Sequence, residues 1–116
     1  MKRSRPKSRA VPGGSRLFHR LYTRLGGHGR PPQFLVEFYP YAGLAHTIRL
    51  REHTAHVRLS DALRGAPAGV IEAAAIILLS RILRRRTPPE SLVGYRTFAM
   101  APATRRILAA VRDPWL

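Results

Sequence analysis

The sequence contains no cysteine, few acidic residues and no apolar run long enough to cross a membrane. The absence of cysteine from 116 residues excludes disulfides and thiolate metal sites, and it fits a reducing compartment. The most apolar run, residues 70–83, is interrupted by Glu72 and Arg81, and the eight residues between these charges are far fewer than the roughly twenty of a membrane-spanning helix. No apolar stretch follows the charged N-terminus, so no secretory signal is visible. We therefore expect a cytoplasmic protein without a transmembrane segment.

The scarcity of acidic residues makes the chain strongly basic. There are 6 aspartates and glutamates against 21 lysines and arginines, which gives a formal net charge of +15. Such an excess favours polyanionic partners, namely RNA, DNA or an anionic membrane surface. The preference for arginine over lysine, with many alanines, glycines and prolines, is equally what a GC-rich coding sequence produces by default. Charge alone therefore makes nucleic acid one candidate partner without establishing it.

The length allows one domain at most, and the N-terminal residues are poor candidates for its core. Residues 1–14 contain five basic residues, two prolines and a glycine pair but no acid, so we expect residues 1–33 to be a disordered basic tail. Its cations Arg3, Arg5 and Lys7 are candidate polyanion contacts, and a solvated tail is the alternative. Residues 15–25 place apolar side chains at helical spacing opposite three arginines, which predicts a short amphipathic helix. This helix could touch a membrane or RNA, or dock on its own domain.

Residues 34–116 are predicted to form a small folded module that begins with strands. Residues 34–39 are rich in aromatic and branched side chains and predict a first strand. Residues 46–59 then alternate between apolar and polar residues on either side of Glu52-His53, which predicts a β-hairpin. In this register Arg49 faces His56 and Ile48 faces Val57, so the apolar side chains share one face. The other face carries four candidate polyanion-binding residues, which are Arg49, Arg51, His56 and Arg58.

After the hairpin the apolar spacing becomes helical, which predicts three further helices. Ser60 or Asp61 caps a short turn that ends at Gly65. The first helix covers residues 67–86 and is apolar on nearly all sides, so it needs more covering surface than a small module supplies. Self-association through it, or a missing part of the protein, would provide that surface.

The other two helices follow a proline-rich stretch. The sequence Thr-Pro-Pro-Glu at residues 87–90 has the spacing of a capping box, and a second helix should follow it. Its predicted inward side chains are Leu92, Tyr95, Phe98 and Ala99. A third helix is predicted for residues 102–112. The fold class is therefore α+β, with a β-hairpin or small antiparallel sheet followed by three helices, behind a disordered basic tail.

The candidate catalytic residues do not combine into an active site. A zinc site from His46, His53 and His56 fails because the hairpin register sends the first to the apolar face, the second to the loop and the third to the polar face. The spacing His53-x-x-His56 also differs from the i, i+4 pair of a helical His-Glu-x-x-His motif. There is no Gly-x-Ser-x-Gly elbow, and the six acids are scattered. We therefore expect no enzyme activity and no cofactor in this chain.

Several short pieces between residues 38 and 99 together carry a resemblance to a known family. The pieces are Tyr41-Ala42-Gly43-Leu44, Thr47-Ile48-Arg49, Val57-Arg58-Leu59-Ser60-Asp61, Ala66-Pro67, Ile77-Leu78-Leu79 and Tyr95-Arg96. This segment resembles the region that precedes the catalytic domain in bacterial SprT-like zinc metallopeptidase proteins. One departure is Glu52-His53, which stands where an Asp-Gly-like turn is expected. In the family, zinc is bound by a His-Glu-x-x-His helix further along, and no residue here matches that motif.

The resemblance implies a non-catalytic accessory module, either a truncated fragment or a stand-alone relative. Such a module would pack against or orient a protease domain, and zinc is expected only in the missing catalytic domain. The alternative from charge is a free-standing basic nucleic-acid-binding protein. A membrane-surface protein, bound through the helix at residues 15–25, is a third hypothesis.

Overall fold

The computed structural model describes residues 9–41 and 44–106, which form a three-stranded sheet with helices packed on one face. The elements in chain order are α1 (Gly14–Arg24), β1 (Gln33–Tyr39), β2 (Thr47–Arg51), β3 (Thr54–Ser60), a 3₁₀ turn (Asp61–Leu63), α2 (Ala68–Ile82) and α3 (Pro89–Met100). The predicted α+β class is confirmed. Residues 102–106 are helical, as the predicted third helix requires, and the rest of that helix lies outside the described residues.

The sheet is mixed, with strand order β1-β3-β2. The β2–β3 hairpin has the predicted register, with Arg49 opposite His56 and Ile48 opposite Val57. Its loop is Glu52-His53, and Glu52 adopts a left-handed φ of 56°. The predicted small antiparallel sheet is corrected in one respect, because β1 pairs parallel with β3. Strand β3 lies between β1 and β2, so the strand with the most deeply buried apolar residues is at the centre of the sheet. Because β2 runs opposite to both β1 and β3, the β1–β3 pair is parallel.

The outer edge of β1 is partly covered by the segment that precedes α1. Ala10 forms an antiparallel bridge to Glu37, and the Val11 N–H donates a hydrogen bond of 3.0 Å to the Val36 carbonyl. This backbone pairing satisfies polar groups that a sheet edge would otherwise leave open.

Helix α1 lies in the core, which corrects the predicted division of the chain at residue 33. Phe18 and Leu21 are fully buried, and the Phe18 ring packs 5.6 Å from that of Phe34 on β1. The N-terminus of α1 passes so close to β1 that a Cβ on Gly14 would lie 2.9 Å from the Cβ of Val36. The apolar face of this short helix was recognised in the sequence, but it covers the sheet rather than belonging to a disordered tail. Residues 1–8 lie outside the described residues.

Helix α2 is covered largely by other elements of the same chain. It packs against α1 and α3, and its residues at 73–76 and 78–80 are buried. The prediction of too few partners is wrong because α1 packs against α2 instead of belonging to a tail. Self-association through residues 67–86 is therefore not needed to cover this helix. The Oγ atom of Ser80 is buried in it without a hydrogen-bond partner among the described residues.

Helix α3 begins at Pro89, one residue later than the capping-box prediction requires. Pro88 is the N-cap, with ψ of 134°, and no side chain makes a capping hydrogen bond. The reason is steric, because a residue that precedes a proline is pushed out of the helical region and Pro88 precedes Pro89. The predicted inward position of Leu92 is wrong, since it is exposed, whereas Tyr95 and Phe98 pack partly buried against the core.

Candidate polyanion-binding face

The face of the sheet turned away from the helices is called the open face, and it carries the four basic residues predicted from the hairpin. Strand alternation buries Ala55, Val57 and Leu59 beneath the helices and turns the neighbouring side chains outward. Arg49, Arg51, His56 and Arg58 are all exposed. Together with Tyr41 and Thr47 they line one shallow cavity of about 400 Å³. The three predicted tail contacts, Arg3, Arg5 and Lys7, lie outside the described residues.

Strand register arranges the outward side chains in rows across the sheet. His56 stands between Leu35 on β1 and Arg49 on β2, and the next row places Arg58 between Glu37 and Thr47. Neighbouring rows are about 7 Å apart along the strands, since same-face residues alternate. Each strand therefore presents a different set of outward side chains to a ligand on this surface.

Positive charge on this surface is free mainly along β2. The Nε atom of Arg58 donates a hydrogen bond of 3.2 Å to Oε2 of Glu37, and its guanidinium lies 4.4 Å from the centre of the Tyr39 ring. Arg49 and Arg51 have no carboxylate within ion-pair distance in the part of the chain that the structure describes. An approaching anion therefore competes with a carboxylate at Arg58 but meets two uncompensated guanidinium groups along β2.

Two tyrosines next to the basic residues were not predicted as part of the site. The ring centres of Tyr39 and Tyr41 are 4.8 Å apart, and the Tyr41 hydroxyl is 3.1 Å from the hydroxyl of Thr47. The guanidinium of Arg9 lies 5.6 Å from the Tyr39 ring. Tyr39 has the same strand parity as the outward Leu35 and Glu37, and this was the one sequence signal that could have placed it on the open face. The position of Tyr41 depends on the chain reversal after β1, which no local pattern specifies.

A second polar cluster lies on the other side of the sheet, around His46. The Ser60 N–H donates a hydrogen bond of 3.0 Å to Nδ1 of His46, and Nε2 is hydrogen-bonded to the Tyr95 hydroxyl. Because Nδ1 accepts, the proton of a neutral His46 must lie on Nε2, which then donates to Tyr95. The Tyr95 hydroxyl in turn is 3.5 Å from the Leu44 carbonyl oxygen. These contacts join the start of β2, the end of β3 and α3.

Burial keeps both titratable groups of this cluster neutral at pH 7. Burial, with a smaller contribution from the positive charge of Arg81, lowers the pKa of His46 to about 4. Burial also raises the pKa of Tyr95 to about 12. Neither group is therefore poised to exchange protons near neutral pH, and the cluster acts as a structural tie between elements.

The histidines diverge as the hairpin register predicted. His46 lies partly buried beside Tyr95, whereas His53 is exposed in the loop and His56 is exposed on the open face. Within residues 9–41 and 44–106, no group of three or more histidines, aspartates and glutamates is placed to hold a metal ion. Over the same residues, no helix has both the length and the apolar character needed to cross a membrane.

Comparison with known proteins gives no relative for this chain. No protein-family model matches it, and neither a curated protein nor a solved structure is found to be similar. The resemblance of residues 38–99 to the SprT-like accessory region therefore stays a prediction, and the candidate site rests on the geometry of the open face.

Proposed function

We propose that this chain binds the phosphate backbone of nucleic acid through the open face of its sheet. The observation that carries the proposal is the placement of Arg49 and Arg51 on one exposed strand, without carboxylate partners among the described residues. His56 and Arg58 extend the same surface onto β3. Phosphate oxygens accept hydrogen bonds from guanidinium groups in a bidentate manner, which makes arginine well suited to this contact.

The overall charge supports the same role. A formal net charge of +15 attracts polyanions over a range that extends beyond the contact surface. Arg9 lies over the Tyr39 ring at the border of the open face, and the three cations at positions 3, 5 and 7 precede it by at most six residues in the sequence. Six extended residues span at most about 20 Å, which is sufficient to reach a ligand on the face. Binding by this mechanism releases counterions and weakens steeply as salt rises.

The test is a comparison of two doubly substituted variants that lose the same charge. The first, Arg49→Gln with Arg51→Gln, neutralises the free cations of the open face. The control, Arg16→Gln with Arg96→Gln, neutralises two exposed arginines on α1 and α3. Fluorescence anisotropy with a labelled oligonucleotide gives the affinity at about 50 mM and about 200 mM salt.

We expect the open-face variant to bind more weakly by at least about tenfold at the lower salt concentration, and its dependence of log Kd on log salt to be shallower by about two. The control variant should retain nearly the wild-type affinity. Equal losses in both variants would mean that net charge alone drives binding, and the open face would then have no specific role.

The second candidate function is the accessory module that the resemblance implies. The observation that favours it is an exposed apolar strip on α3, where Leu92, Val93 and Met100 are 38%, 61% and 60% exposed. Such side chains suit a contact with another protein domain, which would here be a SprT-like protease domain. The test begins with the neighbouring DNA, where a segment that encodes His-Glu-x-x-His is expected. Its purified product should bind the wild-type chain but not Val93→Lys with Met100→Lys, and absence of the encoded segment argues against this candidate.

A further inference from the structure

The open face is chemically different on its two sides. On the β2 side, Arg49 and Arg51 lie about 7 Å apart along the strand, and their positive charges have no carboxylate partner among the described residues. On the β1 side, the outward residues include Leu35, which is 43% exposed, and Glu37, whose carboxylate is paired with Arg58 and does not attract phosphate. At the end of the sheet where β1 stops and β2 starts, the ring of Tyr41 lines the cavity.

The aromatic end of this face is held in place by its neighbours. The Tyr41 hydroxyl is hydrogen-bonded to Thr47, and the Tyr41 ring packs at 4.8 Å and 50° against Tyr39. Tyr39 is itself packed against the guanidinium of Arg58. Arg58 is thus engaged with Glu37 and Tyr39 together, and its role is to support the aromatic end rather than to supply a free charge. A supported ring loses little conformational entropy when a ligand stacks on it.

From this asymmetry we propose that the open face binds single-stranded nucleic acid, with phosphates along Arg49 and Arg51 and an unpaired base against Tyr41. A single strand has phosphates on one side and accessible base faces on the other, which matches the two sides of the surface. Stacking of bases on aromatic side chains, together with a cationic track for the backbone, is the general mode of single-strand binding. A duplex has its bases already stacked and offers phosphates on both sides of each groove, so Tyr41 and Leu35 would gain no partner from it.

This inference rests on the proposed nucleic-acid function, and it specifies the strandedness of the ligand. The Glu37 carboxylate is consistent with it, because its lone pairs that Arg58 does not use can accept a hydrogen bond from an amino group of a base. The spacing of Arg49 and Arg51 is close to that of neighbouring phosphates in an extended strand. The proposal covers single-stranded DNA and single-stranded RNA alike, and the experiment below compares the affinities of the two.

The first test uses the wild-type chain and needs no substitution. Four labelled ligands of about 12 nucleotides are compared at one salt concentration. They are single-stranded DNA, single-stranded RNA of the same sequence, the DNA duplex and an abasic DNA strand that keeps the phosphates but lacks the bases. We expect both base-containing single strands to bind at least about tenfold more tightly than the abasic strand and the duplex. Equal affinity for the abasic strand would overturn the inference.

The second test separates the two sides of the face by substitution. Tyr41→Leu should weaken single-strand binding by about fivefold or more while it leaves the salt dependence unchanged, because it removes stacking without removing a charge. Tyr41→Phe keeps the ring and should stay within about twofold of the wild type. Far-UV circular dichroism during thermal unfolding checks that each variant is folded.

The outcomes distinguish failure of this inference from failure of the proposed function. If Arg49→Gln with Arg51→Gln weakens binding to every ligand and Tyr41→Leu changes nothing, the face binds phosphate but does not stack bases, and only the inference is overturned. If the arginine variant changes no affinity, the proposed function is overturned as well. A preference for the duplex would assign the face to double-stranded nucleic acid instead.

Discussion

The hydrogen bonds around His46 predict that the folded chain loses stability in mildly acidic solution. The Ser60 N–H points at Nδ1 of His46, so a second proton on the imidazole would bring two donors face to face. The pKa of His46 is about 4 in the folded chain and 6.5 as the ordinary value of an exposed histidine. The unfolded chain therefore takes up a proton at a pH where the folded chain does not. The contribution of His46 to the free energy of unfolding is fully present above about pH 6.5 and is lost as the pH falls towards 4.

The size of this effect follows from the difference between the two pKa values. A difference of about 2.5 between the two pKa values corresponds to about 3 kcal/mol of unfolding free energy in total, at about 1.36 kcal/mol per pKa unit. Between pH 7 and pH 5, the part attributable to His46 is about 2 kcal/mol. This interval lies above the usual pKa values of aspartate and glutamate, so carboxylates contribute little to the change.

Urea unfolding of the wild type and of His46→Asn at pH 7 and pH 5 measures the effect. Asparagine does not titrate, and its side-chain oxygen can accept the hydrogen bond from the Ser60 N–H. The two proteins differ only at residue 46, so the pH-dependent contributions of all other residues are common to both. The wild type should therefore lose about 2 kcal/mol more than the variant on acidification. If both proteins lose the same amount, the arrangement of His46, Ser60 and Tyr95 does not exclude the proton and the reasoning is refuted.

Four further substitutions, one of them a matched control, test the packing around the sheet by urea unfolding. Gly14→Ala should destabilise the fold by about 1–3 kcal/mol because its Cβ would meet Val36, whereas Gly69→Ala meets no atom within 4 Å and should be neutral or slightly stabilising; equal effects would contradict the close approach of α1 to β1. Ser80→Ala should raise stability by up to about 1 kcal/mol because it removes a buried hydroxyl without a described partner, and a loss would indicate an unseen hydrogen bond. Glu72→Gln should change stability by less than about 1 kcal/mol, since its ion pairs with two arginines of α1 are exposed, and a larger loss would show that these pairs anchor the helix.

The hairpin was the part of the fold that local sequence determined most fully. Two alternating segments and a two-residue loop leave few choices of register, because a slip of one residue would turn the apolar side chains outward. The pairing of Arg49 with His56 followed directly, and so did the exposure of the four basic residues on one face. The cap at Ser60 was also predictable, and its Oγ atom accepts a hydrogen bond of 3.1 Å from the Ala62 N–H.

The remaining features depend on contacts between distant segments. Nothing local indicates that β1 pairs with β3 rather than with β2, because either pairing would leave its apolar side chains on the face that the helices cover. The burial of Phe18 depends on the close approach of Gly14 to β1. Without knowledge of the sheet, the sequence of α1 is therefore indistinguishable from a short basic helix in a tail. The tyrosine pair of the candidate site was missed for the same reason, since Tyr41 reaches Thr47 only after the chain has reversed.

The free edge of β2 links the proposed ligand contact to the behaviour of the chain in concentrated solution. The segment at residues 9–11 covers the opposite edge of the sheet, while no strand or bridge within the described residues pairs with the outer side of β2. An unprotected edge can recruit a strand from another molecule, and closely spaced charges are a common protection against this. Arg49 and Arg51 would serve in this way as long as they repel the same residues of a neighbouring chain. A ligand that neutralises them would remove that repulsion, so substoichiometric polyanion is expected to promote assembly of the chain, and excess polyanion to reverse it.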